Sequence, residues 1–486
     1  MTSVLFIGLD VGTQGARAIA CDAEGGLVAE SSAPFAHRPR APRPGWHEQD
    51  PQDWWAAAAE CLQAVARQAT AAGCDRSVPT RLAVSSTSGT VVLVDRAGRV
   101  RRPAIMYNDT RATAQAERIN EAARVFTEKL GYRFSASFAL PKILWLAEHE
   151  PKRFASARIC HPADFLLGRL TGRYNVSDTS NVLKTGYDLV EGRWPSFLDD
   201  FGIPLDRLPG VLRPGEVVGH VDTRVAAWLG LSPVTLVVAG ATDGTAGFLA
   251  SGACQVGQWC STLGTTLVLR GVSRTLLRDP LGRIYCHAHP EGYWLPGAAS
   301  SVGGECLAVR FKGKKLAALD ATVAKHLPND LLLYPLARRG ERFPFVDPEA
   351  EGFVRRKRPR QADLYAACLE GVGFVERWGL EVMAGLGATV ADPLFASGGA
   401  AASDVWLQLR ADILDRPLRV AANAHSAKGA ALLAAASAFG SLSQAVERMV
   451  RFEKTFEPRP GLRGYFDDKY ARFRQACAEA YPSARG

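Results

Sequence analysis

Two acids stand where phosphate chemistry would need them. Asp10 closes the apolar run Val4 to Leu9, and Asp243 follows the run Leu236 to Ala239 and its Gly240-Ala241-Thr242 turn. Each precedes glycine and threonine, as Asp10-Val11-Gly12-Thr13 and as Asp243-Gly244-Thr245. A carboxylate at a strand's end, beside exposed backbone N–H groups, is suited to hold Mg2+ through water. The amides and a threonine hydroxyl would then take phosphate oxygens. Phosphoryl transfer needs positioning, charge neutralisation and one carboxylate to accept the proton of the attacking hydroxyl. One acid on each side of a cleft, with two Gly-Thr hairpins around the phosphates, would divide those tasks. The same dipeptides are also ordinary turn chemistry, so spacing alone leaves both readings open.

The elements that must carry these acids are legible in outline. GLDVGTQGARAIACD, residues 8–22, is neither a G-x-G-x-x-G turn opening a helix nor a loop with G-K-[ST]. An apolar strand, the Gly12-Thr13 turn and the alternation from Ala16 to Cys21 predict a hairpin, continued as a meander through Cys21 to Gly26. In WHEQDPQDWW, Asp50 as N-cap, Pro51 at the first helical position and Asp53 in the first turn predict a helix to about Ala71. Arg81 to Val84 and Thr90 to Asp95 read as strands, and residues 110–175 as mainly helical. The opening device then recurs as a strand Gly257 to Ser261, a Leu263-Gly264-Thr265-Thr266 turn and a strand Leu267 to Val272. Gly264 lies 252 residues beyond Gly12, an echo that suggests two related halves. Leu394 to Gly399 reads as a strand entering a glycine turn, and Ser403 to Leu414 as a helix. The last sixty residues are expected to be helical, with Ala427 to Phe439 packed closely. No low-complexity linker divides the chain, so packed elements must join the halves, with a cleft between them as the expected ligand site.

Composition narrows the classes. With 47% hydrophobic and 22% charged residues over 486 positions, the chain is an ordinary globular one, long enough for two to three domains. Ten scattered cysteines with no C-x-x-C pair read as reduced structural thiols. Cys286-His287-Ala288-His289 would place both histidines on one hairpin face, but the fuller ligand set of a structural zinc site is missing. The net charge of +9 comes from 46 arginines and 12 lysines, with Arg355-Arg356-Lys357-Arg358-Pro359-Arg360 the densest run. No nucleic-acid motif accompanies it, and its proline and the neighbouring Asp347 and Glu351 fit a solvated loop. No nucleic-acid partner is expected. No basic region precedes the first apolar run, Asp10 interrupts it early, and Gly429 to Phe439 is short for a membrane span. A cytoplasmic protein with no membrane partner is expected.

Resemblance adds to this reading. DVGTQGAR, Asp10 to Arg17, resembles the first phosphate motif of the FGGY carbohydrate kinases, members of the actin–hexokinase–heat-shock ATPase superfamily. PGWHEQDPQDWW is similar to the stretch that follows it in many of these kinases, and PKILWL to their central helix signature. GATDGTAGFLASGA resembles the region of the catalytic Asp, STLGTTLVL the second phosphate motif, and SGGAAASDVWLQLRADILDRPL the adenosine motif. These occur in family order across nearly the whole chain. The resemblance implies two α/β domains, residues 1–250 and 251–486, each on a mixed five-stranded sheet and hinged around a cleft. The last sixty residues could pack back on the hinge. It implies an ATP- and Mg2+-dependent sugar kinase, monomer or homodimer, whose partners are a small-molecule sugar and ATP.

The implied roles fall on named residues. Asp243 is the general base, and Asp10 and Asp243 serve Mg2+ through water. Gly12, Thr13, Gln14, Gly15, Gly264, Thr265 and Thr266 surround the phosphates. Gly398, Gly399, Ala400 and Ser403 line the adenosine pocket, where the family's third glycine and lysine are here Ala400 and Ala402. Asp10, Gln14, Gly15, Ser88, Asp243 and Gly244 face the sugar. Xylulokinases usually carry Gln-Met-His-Gly where this chain has Ser86-Thr87-Ser88-Gly89. That stretch resembles the Thr-Ser-Gly-Thr of the D-ribulose kinase branch, as do YPLARRGERFPFVDP and HAHPEGYWLPGAAS. D-Ribulose is the expected sugar. Tyr107-Asn108-Asp109-Thr110-Arg111 resembles a xylulokinase stretch and keeps D-xylulose as the alternative, although the same residues read equally as a loop salt bridge. A weakly active sugar sensor and a sugar-independent ATPase are the readings from other classes.

Overall fold

The computed structural model describes residues 4–74, 79–323, 328–356 and 358–484. They sort into two compact units. The first runs to Gly252 and takes in His287–Gly292 and Asn423–Val450, while the second holds Ala253–Cys286, Tyr293–Ala422 and the chain from Arg451. A single cut at 250 therefore does not describe the units, because the alanine-rich segment near the end returns to the first.

The first unit is built on a six-stranded sheet in the order Val217–His220, Leu236–Thr242, Thr80–Ser86, Leu5–Val11, Gly15–Cys21, Leu27–Pro34. Leu236–Thr242, Thr80–Ser86 and Leu5–Val11 are parallel neighbours. Their near-continuous apolar sequences are what strands covered on both faces require. The register sets Asp10 beside Ser85 and Thr242 beside Ser86, so the chemistry-bearing residues collect at one end of the sheet. In open α/β sheets that end is where ligands bind. Gly15–Cys21 returns antiparallel from Leu5–Val11, the predicted hairpin. The helix Pro51–Ala71 begins as its sequence dictates, with the Asp50 carboxylate accepting Gln52 N–H and Pro51 at the first position.

The helix Ser426–Phe439 packs on the same sheet at backbone range. A Cβ on Gly8 would lie 1.8 Å from the Ala427 carbonyl oxygen, and one on Gly429 would lie 1.8 Å from that of Ala246. Its small residues are thus a packing requirement. Gly429→Val should lower the melting temperature steeply, its cost in stability exceeding the ~1–3 kcal/mol of ordinary overpacking, because backbone cannot rotate aside. Gly385→Ala, where an added methyl meets nothing within 4 Å, is the control and should melt as wild type. Among the described residues no single helix is long and apolar enough to cross a membrane, and the pair Ser426–Phe439 and Leu442–Met449 is bent by 117°.

The second unit has a seven-stranded sheet in the order Tyr285–Ala288, Trp294–Ala299, Leu267–Gly271, Trp259–Leu263, Leu394–Ser397, Leu418–Ala421, Phe452–Phe456. The hairpin Trp259–Leu263/Leu267–Gly271 repeats the opening device. The helix Gln361–Gly385 buries Phe374, Val375, Trp378 and Met383 in this unit's core. Six and seven strands replace the expected five and five. The extra strands are short edge pieces, four or five residues long, whose period is too brief to read. One of them corrects the expectation of an all-helical tail: FEKTF, Phe452–Phe456, pairs antiparallel with Leu418–Ala421, as its aromatic and β-branched residues favour.

Candidate active site

In the first unit the ends of two parallel strands supply the acids, and the strand between them supplies Ser85. Asp10, one residue before the end of its strand, is half-buried, and its Oδ1 accepts the Ser85 hydroxyl at 2.7 Å. Burial pushes the Asp10 carboxyl up to about 7, the Ser85 hydrogen bond opposes this, and the charge of Asp243 raises it further. Both acids belong to the first unit and feel each other at the same sheet end, in place of the expected one on each side of a cleft. Asp243 opens the helix Asp243–Ala250, with its Oδ1 taking the Gly244 N–H at 2.7 Å, and Gly244 is exposed.

The hairpin turn beside Asp10 is braced. Gly12 N–H donates to the Gly15 carbonyl at 3.0 Å, and Gln14 carbonyl accepts from Phe35 N–H at 2.9 Å. Gly15 is required sterically, since a Cβ there would lie 2.4 Å from the Ala33 carbonyl oxygen. Gln49 Nε2 donates to the Thr13 carbonyl at 2.8 Å, and Trp54 Nε1 holds Gln49 in turn. Thr13 Oγ1 and the Tyr107 hydroxyl lie 3.4 Å apart. The Gln14 side chain is exposed at the tip.

Ser88 follows the strand Thr80–Ser86, and Lys184 Nζ donates to its hydroxyl at 2.8 Å. Gly89 adopts φ +80°, and a Cβ there would lie 2.4 Å from the Ser137 carbonyl oxygen, so only glycine suits this turn. Sequence reasoning named Ser88 but missed Ser85, Lys184 and Gln49, which are far apart in sequence from the groups they hold. The stretch Tyr107 to Arg111 contains the loop salt bridge. The Arg111 side chain is buried, pairs with both oxygens of Asp109 at 2.9 and 2.7 Å, reaches Glu48 at 2.8 Å, and lies 3.7 Å from the Trp46 ring centre.

The second unit holds the other motifs at its own strand ends. Trp259–Leu263 and Leu394–Ser397 are parallel neighbours with Thr262 beside Ser397, and their hydroxyls meet at 2.8 Å. Each strand then enters its glycine segment. Gly264 N–H donates to the Thr266 carbonyl at 3.1 Å. Gly304 N–H donates to the Gly264 carbonyl at 2.8 Å, a second glycine contact the sequence did not reveal. Gly398 has φ +87°, and a Cβ there would sit 2.6 Å from the Leu263 carbonyl oxygen, whereas Gly399 has open space. Gly399–Ala402 forms one 3₁₀ turn, and Ser403 caps the helix Asp404–Leu414 by accepting Trp406 N–H at 3.1 Å. The Gly264 turn and the segment from Gly398 to Ser403 therefore follow neighbouring strands, and Ala400 within the latter is half-buried.

No group of three or more His, Cys, Asp or Glu side chains arranged for a metal occurs among the described residues. Cys286, His287 and Ala288 lie in the strand Tyr285–Ala288, and His289 follows it. Asp10 and Asp243 nonetheless fit Mg2+. They are hard oxygen donors, and their mutual charge is what a cation offsets. Mg2+ is usually held by one or two carboxylates, with waters and phosphate oxygens completing its shell. In the basic run, Arg355 pairs with Glu479 and Arg360 with Asp363, while Lys357 lies outside the described residues.

Acids and glycine-rich hairpins at the strand ends of two α/β units define a phosphotransferase of the actin-like ATPase type. Residues 5–250 match the N-terminal domain of the FGGY family of carbohydrate kinases and residues 262–438 its C-terminal domain. The chain belongs to this family and is an ATP-dependent carbohydrate kinase. It is 30% identical to the xylulose kinase of Escherichia coli (strain K12), over 88% of this chain and 89% of that one. It is 31% identical to the xylulose kinase of Streptomyces coelicolor, covering 91% and 90%. The crystal structure of a xylulose kinase from Rhodospirillum rubrum superposes with a TM-score of 0.87 at 28% identity, covering 99% of this chain and 100% of that one.

Proposed function

We propose that this kinase transfers the γ-phosphoryl group of ATP to the terminal hydroxyl of a ketopentose, with D-ribulose the first choice of sugar. The observation that carries the reading is the convergence of Asp10, Ser85 and Asp243 at one sheet end, where the two acids sense each other's charge. In the proposed reaction Asp243 accepts the proton of the attacking hydroxyl. The sugar oxygen then forms its bond to the γ-phosphorus as the β–γ bond breaks, and ADP leaves. Asp10 and Asp243 would hold Mg2+ through water, and the ion would neutralise phosphate charge. The backbone N–H groups and hydroxyls of Gly12 to Gly15 and Gly264 to Thr266 are assigned to the phosphates, and Gly398, Gly399, Ala400 and Ser403 to adenosine. Sugar binding is thus assigned to residues 1–250 and most nucleotide contacts to residues 251–486, in a cytoplasmic enzyme.

The choice of D-ribulose is supported by the Ser86-Thr87-Ser88-Gly89 turn, which offers small hydroxyls. Ser88 is held by Lys184, so its oxygen is oriented before the sugar arrives. D-Xylulose is the second reading, favoured by the xylulose kinase names of the relatives. A coupled ADP assay with ATP and Mg2+ against D-ribulose, D-xylulose, L-ribulose, ribitol and glycerol, beside a no-sugar blank, tests both. The expected result is selective stimulation by D-ribulose. Ser88→Ala should then raise the KM for that sugar about three- to tenfold, the loss of one hydrogen bond. Stimulation by D-xylulose alone would replace the first choice with the second. A high blank that no sugar raises would overturn both.

A further inference from the structure

We infer that Asp178 and Ser180 are positioning residues that aim Asp243, an inference resting on the reading of Asp243 as general base. The strand that delivers Asp243 is irregular near its end. Leu236–Thr242 changes register against Thr80–Ser86 between Val238 and Ala241. Here Gly240 comes so close to its neighbour that a Cβ would lie 1.8 Å from the Val84 carbonyl oxygen. Something outside the regular ladder must fix the last residues. Thr242 N–H, the amide immediately before Asp243, donates to the Ser180 hydroxyl at 2.7 Å. That hydroxyl donates to Asp178 Oδ1 at 2.8 Å.

The chain of bonds has only one polarity. An ionised carboxylate only accepts, so the Ser180 proton points to Asp178 and a lone pair is left facing Thr242. Asp178 is itself fixed by Ser180 N–H and Asn181 N–H on Oδ1, at 2.9 and 3.0 Å, and by Asn181 Nδ2 on Oδ2 at 2.6 Å. All three side chains are fully buried. On the far flank the Ser426 hydroxyl donates to the Asp243 carbonyl at 3.1 Å. The peptide on each side of the base is therefore tied down. A general base must lie within hydrogen-bond reach of its proton, and displacement of about 1 Å costs on the order of a hundredfold.

The test is steady-state kinetics of the full chain with Mg-ATP and its best sugar. Ser180→Ala should lower kcat at least tenfold while leaving both KM values within twofold, and Ser180→Thr, which restores the hydroxyl, should recover most of the rate. Ser180→Cys keeps the shape of the side chain with a slightly larger atom and weakens both bonds of the link, to Thr242 and to Asp178, and it is read by the same criterion should the alanine variant not fold. Asn181→Ala removes one bond that holds Asp178 while leaving the Ser180–Thr242 link intact, and should lower kcat less than Ser180→Ala does. A kcat within twofold of wild type in Ser180→Cys, or equal losses in the Ser180 and Asn181 variants, overturns the inference. Asp243→Asn separates the two levels. If it keeps turnover, the base assignment itself fails. If it is dead while the Ser180 variants are fully active, only the positioning role fails.

Discussion

Asp243→Asn is expected to lower kcat by about two to four orders of magnitude, the usual contribution of a positioned general base. At ~1.4 kcal/mol per decade this is ~3–5 kcal/mol of lost transition-state stabilisation. An amide cannot accept the proton of the sugar hydroxyl at neutral pH. Its Oδ1 can still take the Gly244 N–H now bound at 2.7 Å, so the helix Asp243–Ala250 should start where it does and the melting temperature should hold. The KM for ATP should change little, since most nucleotide contacts are assigned to segments far from residue 243 in sequence. Asp10→Asn should fail differently. It removes a proposed Mg2+ partner but leaves the base in place, so the Mg2+ concentration for half-maximal rate should rise and excess Mg2+ should return part of the activity, whereas Asp243→Asn, which loses the base as well, should not be rescued. Full turnover by Asp243→Asn in the coupled ADP assay would remove the base assignment.

The acids, the hairpins and the helix Pro51–Ala71 were legible in the sequence because each is specified locally. An apolar run stopped by an acid, a Gly-Thr turn, and an Asp-Pro start with an acid in the first turn need no knowledge of the rest of the chain. What sequence did not disclose is whatever depends on sheet order. Ser85 meets Asp10 only because Thr80–Ser86 lies parallel beside Leu5–Val11. Lys184 reaches Ser88 across 96 positions, and Ser180 reaches Thr242 across 62. A lysine or serine at such positions carries no local signature. The return of Asn423–Val450 to the first unit was hidden for a related reason. Gly8 and Gly429 declare a close approach only when their partners are known. The stretch Tyr107 to Arg111 was legible as an ion pair, but its partners Glu48 and Trp46 were not.

Glu376→Ala should destabilise the second unit by ~3–5 kcal/mol, the cost of stranding one partner of a buried ion pair. Arg410 and Glu376 are both fully buried and joined through Nε and Nη2 at 2.7 and 2.8 Å. Without Glu376 the guanidinium keeps its charge, because arginine does not shed its proton in proteins, and a single hydrogen bond from Nη2 to the Ser261 hydroxyl at 2.9 Å is left to it. At roughly 2–4 °C per kcal/mol for a unit of this size, the melting temperature should fall by about 10 °C. Glu376→Leu with Arg410→Met should recover most of that loss, since apolar replacement of the whole pair is often neutral or better. A pair that can be replaced without loss of stability would owe its presence to something else. Arg410 binds Ser261, two residues before Leu263 in the strand that enters the Gly264 turn, and the next residue, Thr262, is linked to Ser397. The double variant should therefore melt near wild type yet show a raised KM for ATP. A single-variant loss under 1 kcal/mol would mean that water or a neighbouring group neutralises Arg410, and the pair would then carry neither stability nor address.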